Sequence, residues 1–389
     1  MKREDAAAAG ILALFFALRL SLLHHRQPFF DELFTRWISG KSFAGIVDAL
    51  RYDSGPPLYY FLVHIFAAAR GISLLASLAA VVLLLREKHL LAAAFVAVFP
   101  PSVLTAVDAR AYAFCTLFVT IGVLFEKYDA IAFVLAAYSH YYGVLFFPLL
   151  VRKPKSLALA LVLFAPGFAL AAVQPAGARE WMTHAWPEAL FTRPPIALAI
   201  VGGLAVLASL RLNKYLAMVL VPLFLAIVLR VYVPLRFESV IATPLAVCIA
   251  EGIKARKGLL QEALASVILG AAAIWSVLGI IEHANRPLDE YRGAAGWLVH
   301  NVSRQDRIVA SGYLYLETIE AGRPDAFAFP VEQAIHPGWR AFASSKDVVP
   351  QPPFIWIGER GSREFALVAD HHRVEPLCFN ARAMVARIR

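Results

Sequence analysis

The stretch Phe29-Phe-Asp-Glu-Leu-Phe-Thr-Arg-Trp37 sets two carboxylates and an arginine directly after an apolar run. Ionisable groups in similar settings recur at Asp53 (Asp-Ser-Gly-Pro-Pro), at Asp108-Ala-Arg110, at His140 followed by Tyr141, and at Arg236-Phe-Glu238. These residue types suit one kind of chemistry: a carboxylate takes a proton from a hydroxyl while guanidinium groups hold an anion. Each motif also has a local reading. Glu32 and Arg36, four apart, would pair on one helix face, leaving Asp31 free or as the helix cap. Asp53 suits an Asx turn before a proline-started helix, and Asp108 would pair with Arg110.

The surroundings of these groups are membrane-like. Of 389 residues, 60% are hydrophobic and 17% charged, with a mean hydropathy of +0.64, far from a soluble average. Apolar runs fill residues 10–281; the remainder has mixed composition. From Glu282 onward 13 basic residues balance 13 acidic ones, so the net charge of +9 lies in the first 281 residues. Confined to loops between apolar runs, it orients the chain and meets anionic membrane lipids; nucleic acid is not an expected partner. Cys115, Cys248 and Cys378 are too scattered for a disulfide framework or a zinc site.

Arg86-Glu-Lys-His89, Arg152-Lys-Pro-Lys155, Arg211-Leu-Asn-Lys214 and Lys254-Ala-Arg-Lys257 are the positive loops, and the positive-inside rule places them in the cytoplasm. The amino terminus joins them, because the first apolar run lacks a small-residue cleavage site and reads as a retained span. Residues 24–70 then form a long outer loop. Its Pro57–Ala69 segment is too short, at about 1.5 Å per residue, to cross a core of about 30 Å and is expected to lie in the interface.

Further spans are expected near 72–85, 89–105, 111–125, 130–138, 142–151, 156–173, 195–210, 215–230, 239–251 and 264–281, about eleven in all. The two pieces flanking Ser139-His-Tyr-Tyr-Gly143 are short enough to be half-helices. The expected fold is an all-α polytopic membrane domain, residues 1–281, followed by a small extracytoplasmic α/β domain, residues 282–389. That second domain should hold a helix near 289–301, strands near 307–310 and 354–357, a helix at 363–370 and strands to the end. Asn301-Val-Ser303 matches a glycosylation sequon.

This topology gathers Asp31, Glu32, Asp53, Asp108, Arg110, His140 and Arg236 at the outer ends of spans. A charge inside a membrane costs roughly 2.5 to 3.5 kcal/mol on insertion scales, so a convergent set marks a reaction site or a transport path. A lipid-linked sugar phosphate on the outer leaflet fits carboxylates plus arginines. Nucleotide sugars do not, since no phosphate-binding glycine loop is present. A transporter or flippase would show internal repeats and charges near mid-bilayer, and a noncatalytic assembly subunit would not need Asp31.

The motif order resembles the GT-C superfamily of integral membrane glycosyltransferases, especially relatives of protein O-mannosyltransferases and of the lipid A aminoarabinose transferase. "FFDELFTRW" is similar to the first-loop Asp-Glu motif and "DSGPPLYYFLVHIF" to an acidic-x-x-Pro-Pro-Leu-Tyr-Tyr helix. "VDARAYAF" resembles the second-loop acidic-Ala-Arg-x-Tyr motif, and "YSHYYGVLFF" and "PLRFESVIATPLA" resemble later segments. Phe237 stands where tyrosine is usual.

The resemblance implies an inverting transfer, mannose foremost, from a polyprenyl- or dolichyl-phosphate sugar to a hydroxyl of a lipid, glycan or protein. It implies Asp31 as general base supported by Glu32, and Asp108 as a second acid that orients the acceptor or holds a divalent cation. Arg110 and Arg236 would contact the donor phosphate, with Asp53, His140 and Tyr141 lining the substrate site. The resemblance leaves a divalent cation open, because related enzymes differ in this, and two separated acids are too few to predict one.

Overall fold

The structure, a computed structural model, describes residues 3–175, 214–329 and 351–389. The expected span at 195–210 lies outside the described residues. The described chain falls into two compact units, one of residues 3–26, 55–172 and 214–285, the other of residues 27–54, 173–175, 286–329 and 351–389.

The first unit is all helical. Among the described residues four helices are long and apolar enough to cross a membrane: α1 (Arg3–His25), α5 (Ala69–Arg86), α10 (Pro154–Val173) and the Leu259–Ala284 helix. The expected 89–105 span is instead two helices, α6 (Leu90–Val98) and α7 (Pro100–Val107), bent by 64° at Phe99. Pro100 and Pro101 explain the break: neither offers an N–H to the preceding turn, and both suit the first positions of a new helix. If the bent pair is one span, five crossings qualify by length and composition. Tyr112–Leu124 (α8), Lys214–Val228 and Ala242–Lys254 are shorter apolar helices.

The helix after Pro57 is α4 (Leu58–Phe66), only 9 residues long. Two pieces flank His140 as expected: α9 (Asp129–Ser139) and a 3₁₀ helix, Tyr141–Arg152. Gly143 lets them meet, since a Cβ there would lie 2.2 Å from the backbone nitrogen of Ala137. Phe133, Phe146, Phe164 and Phe237 are fully buried around this junction.

One charge sits where the sequence reading placed none. Arg19 is fully buried within α1 and donates to the carbonyls of Ala97 (2.7 Å) and Val96 (3.2 Å). Ser276 donates to Val98 O at 2.7 Å. Pro100 and Pro101 leave Val96 O and Ala97 O without their i+4 donors, the bend parts Val98 O from the N–H of Ser102, and the two side chains supply replacements.

In the second unit, α2 (Phe30–Ser39) and α3 (Phe43–Leu50) join the C-terminal domain. Its five-stranded sheet has the order β2-β1-β3-β5-β4, with β1 (Ile308–Ala310), β2 (Phe327–Ala328), β3 (Phe354–Glu359), β4 (Val374–Phe379) and β5 (Ala383–Ile388). β1 is parallel to β2 and β3, whereas β5 is antiparallel to β3 and β4. Helices Glu290–Asn301 and Arg363–Ala369 occupy the expected positions; Tyr313–Glu320 is an additional helix. Trp356 at the sheet centre and Leu298 and Leu314 on the helices are fully buried.

Candidate active site

In the first unit Asp108 closes α7 and is buried. Its local partner is not Arg110. Arg26, one residue beyond α1, grips both carboxylate oxygens, Nε at 2.8 Å and Nη2 at 3.3 Å. The remaining guanidinium nitrogen lies 3.3 Å from His283 Nε2, and the Arg26 carbonyl accepts from Arg70 at 2.9 Å. A bidentate pair with supporting bonds is the arrangement that makes two desolvated charges tolerable.

Arg110 turns elsewhere. Its backbone N–H closes a tight turn onto Asp108 O (2.8 Å), and its guanidinium reaches Tyr60 Oη at 3.4 Å. Both Arg110 and Arg236 lie close enough to His140 to act on it electrostatically. His140 caps the 3₁₀ helix by accepting from Tyr142 N (3.2 Å), with its ring 4.8 Å from Tyr112 and 4.4 Å from Tyr142. Arg236 lies 5.7 Å from the Tyr112 ring centroid. Two arginines from separate loops thus converge on one aromatic-lined imidazole. Beside them Tyr232 donates to the buried Glu238, whose other oxygen has no hydrogen-bond partner. Tyr141 instead sets its ring edge-on to Phe164, at 6.5 Å.

The second unit holds Asp31, Glu32 and Asp53. Phe29 is the cap residue of α2 and makes no side-chain cap bond, so Asp31 is in the first turn rather than at the cap. A carboxylate there faces the positive end of the helix dipole. Glu32 is fully buried and Asp31 half-buried. Arg36 pairs with Glu320, and Phe30 meets Tyr313 edge-on at 4.5 Å. Arg292 holds the entry to the helix, donating to Pro28 O at 2.7 Å while paired with Glu317. Burial raises the Glu317 carboxyl above the ordinary range despite that arginine. Asp53 lies half-buried in the turn after α3, its N–H on Leu50 O at 3.2 Å.

The sequence reading missed Arg26, Tyr60 and Tyr112 in the first unit and Tyr313, Arg292 and Glu317 in the second. Arg26 carried a visible signal: like Arg236, it is an arginine at the end of an apolar run, on the side that the expected topology places outside, against the positive-inside trend. Among the described residues, no group of three or more His, Cys, Asp or Glu side chains could hold a metal ion.

No protein-family model matches the chain, and no curated protein matches it. Among solved structures it is similar to ArnT from Cupriavidus metallidurans in the apo state, at 12% identity, a TM-score of 0.61 and 98% coverage of both chains. The chain therefore shares the fold of ArnT, the fold that its motif order implied.

Proposed function

We propose that this protein is an integral membrane glycosyltransferase that moves a sugar, mannose foremost, from a polyprenyl-phosphate donor to a hydroxyl acceptor on the extracytoplasmic face, with inversion. The observation that carries the reading is the convergence of Arg110 and Arg236 on His140. Two guanidinium groups from different loops, backed by Tyr60 and Tyr112, suit a phosphate whose charge grows as the sugar–oxygen bond breaks. The ArnT fold agrees with it.

Asp31 is the general base: it is half-buried and sits in a first helical turn, where the helix dipole favours a carboxylate. Glu32, fully buried, fixes the start of α2. Asp108 acts as an orienting acid, because its charge is already matched by Arg26. A base supplies typically 10²- to 10⁴-fold, so phosphate stabilisation and positioning carry much of the remaining rate. The same proposal includes about eleven crossings, a cytoplasmic amino terminus and an extracytoplasmic C-terminal domain.

The test is transfer of radiolabelled mannose from polyprenyl-phosphate mannose in detergent, against a mixed extract of membrane lipids and glycans, by wild type and Asp31→Asn. Transfer by wild type that collapses in the variant supports the reading. Transfer that survives moves the base to another carboxylate, and a wild type inactive with every polyprenyl-phosphate sugar supplied refutes the donor class.

A further inference from the structure

Next to Asp31, inside the second unit, the C-terminal domain assembles a polar cluster from three separate elements. Tyr291 lies on the Glu290–Asn301 helix, Tyr313 begins the Tyr313–Glu320 helix, and Glu359 ends β3. The two tyrosine rings stack with centroids 6.0 Å apart and planes 12° from parallel. Tyr291 donates its hydroxyl to Glu359. Arg382 places its guanidinium 4.7 Å from the Tyr291 ring centroid.

The backbone is built to hold this arrangement. Asn380 accepts from the N–H groups of Arg382 (3.0 Å) and Ala383 (2.7 Å), forming the turn that enters β5, and donates to Glu290 O at 2.8 Å. β3 and β5 pair Glu359 with Ala383, and Arg360 N donates to Arg382 O at 2.9 Å, so the acid and the arginine leave neighbouring strands at the same sheet end. Phe30, edge-on to Tyr313, brings α2 and its carboxylate to the cluster.

What would such a cluster bind? Around the tyrosine pair stand two acids and one arginine: Glu359 accepts from Tyr291, Asp31 follows the Phe30 that meets Tyr313, and Arg382 lies over Tyr291, a balance that disfavours an anion. Tyr313, Asp31 and Glu359 are half-buried and Arg382 is exposed, so this set of closely spaced donors and acceptors is partly accessible. Such sets match the alternating hydroxyls of a sugar ring, and bound arrays of this kind reject ligands that leave them unpaired.

We infer that Tyr313, Glu359 and Arg382, beside Asp31, form a recognition site for a neutral glycan, the sugar portion of the acceptor. This rests on Asp31 being the base, and it names the acceptor class that the base serves. The site presents hydroxyls to Asp31 through hydrogen bonds from Arg382 and Tyr313 and to Glu359.

The experiment uses the full chain in detergent and three probes: a neutral mannooligosaccharide, a carboxylated oligogalacturonide and polyprenyl phosphate. The wild type should bind the neutral glycan at least tenfold better than the acidic one. Arg382→Ala and Tyr313→Phe should each weaken neutral-glycan binding about tenfold, the equivalent of roughly 1.4 kcal/mol, with polyprenyl-phosphate binding unchanged. Glu359→Gln should narrow the gap between neutral and acidic glycans.

A wild type that binds neither glycan, or prefers the acidic one, overturns the inference, as does Arg382→Ala that binds like wild type. Loss of all three probes in both variants also overturns it, since the residues then serve the fold. Absence of polyprenyl-phosphate binding in the wild type refutes the donor reading separately, and the glycan arm is judged on its own result.

Discussion

Arg26 and Asp108, 82 residues apart in the chain, form a bidentate ion pair at 2.8 and 3.3 Å with both side chains largely removed from solvent. The pair ties the end of α1 to the end of α7 and so fixes the turn that carries Arg110. Removing one partner strands the other charge at low dielectric, at a cost of about 3–5 kcal/mol. Arg26→Met and Asp108→Leu should each lower the thermal midpoint of the detergent-solubilised protein sharply. The double variant should recover much of that loss, and a double variant no more stable than the singles would show the pair is not the linkage.

Arg19 makes a second tie, two helical turns earlier on α1. Its guanidinium serves Ala97 O and Val96 O, the carbonyls freed by the Pro100-Pro101 break. Arg19→Leu is close in size yet leaves both carbonyls without partners, at about 1–3 kcal/mol for each buried group. Ser276→Ala exposes only Val98 O to the same penalty. Thermal unfolding should therefore rank the variants wild type, Ser276→Ala, Arg19→Leu, in falling stability. An Arg19→Leu protein as stable as wild type would mean that the bend finds other donors.

Much of the architecture is legible in apolar run lengths and breakers. The 60% hydrophobic composition, the short Pro57–Ala69 segment and the helix break at His140 are local properties, and their positions read directly from the residues. After Glu282 the helices near 289–301 and 363–370 and the strands near 307–310, 354–357 and to the end followed from periodicity in the same way, whereas the Tyr313–Glu320 helix and the two-residue β2 did not. The bend at Phe99 needed a choice that hydropathy does not make, because Val98 and Phe99 are as apolar as a continuous span.

Side-chain pairing across distance was not legible. Sequence spacing favours Asp108 with Arg110 and Glu32 with Arg36, whereas the folded chain gives Asp108 to Arg26 and Arg36 to Glu320. Those partners meet only once tertiary packing fixes which helix ends adjoin. Arg19 escaped notice for a related reason: a charge within a span is interpretable only when the unpaired carbonyls beside it are known.

The arginine pair at His140 gives a prediction about donor affinity. Charge-assisted hydrogen bonds are worth about 1.5–3 kcal/mol each, so Arg110→Ala and Arg236→Ala should each weaken polyprenyl-phosphate binding by roughly ten- to hundredfold. Lysine at either position keeps the charge but loses the planar fork, and should recover only part of the affinity. His140→Phe keeps the aromatic contact with Tyr112 and Tyr142 and separates ring packing from hydrogen bonding. Titration of the detergent-solubilised variants with polyprenyl phosphate measures these effects, and unchanged affinity in both alanine variants would remove the phosphate from this site.

Asp31 and Tyr313 offer a titration that reports their proximity. Burial holds the Tyr313 phenol above its ordinary value of 10.0, Glu359 and Asp31 add to that shift, and Arg382 opposes it. The unfolded chain releases this proton first as pH rises. Stability tied to the neutral phenol is therefore whole below pH 10 and is lost as pH climbs toward the folded-state value. Tyr313→Phe should accordingly flatten the fall in melting temperature on the alkaline side, and the ultraviolet difference between wild type and Tyr313→Phe should isolate a late-ionising tyrosine. Asp31→Asn removes one of the charges that favour the neutral phenol and should move that ionisation to lower pH. An ionisation unchanged by Asp31→Asn would separate Asp31 from the tyrosine and weaken the case for a shared acceptor site.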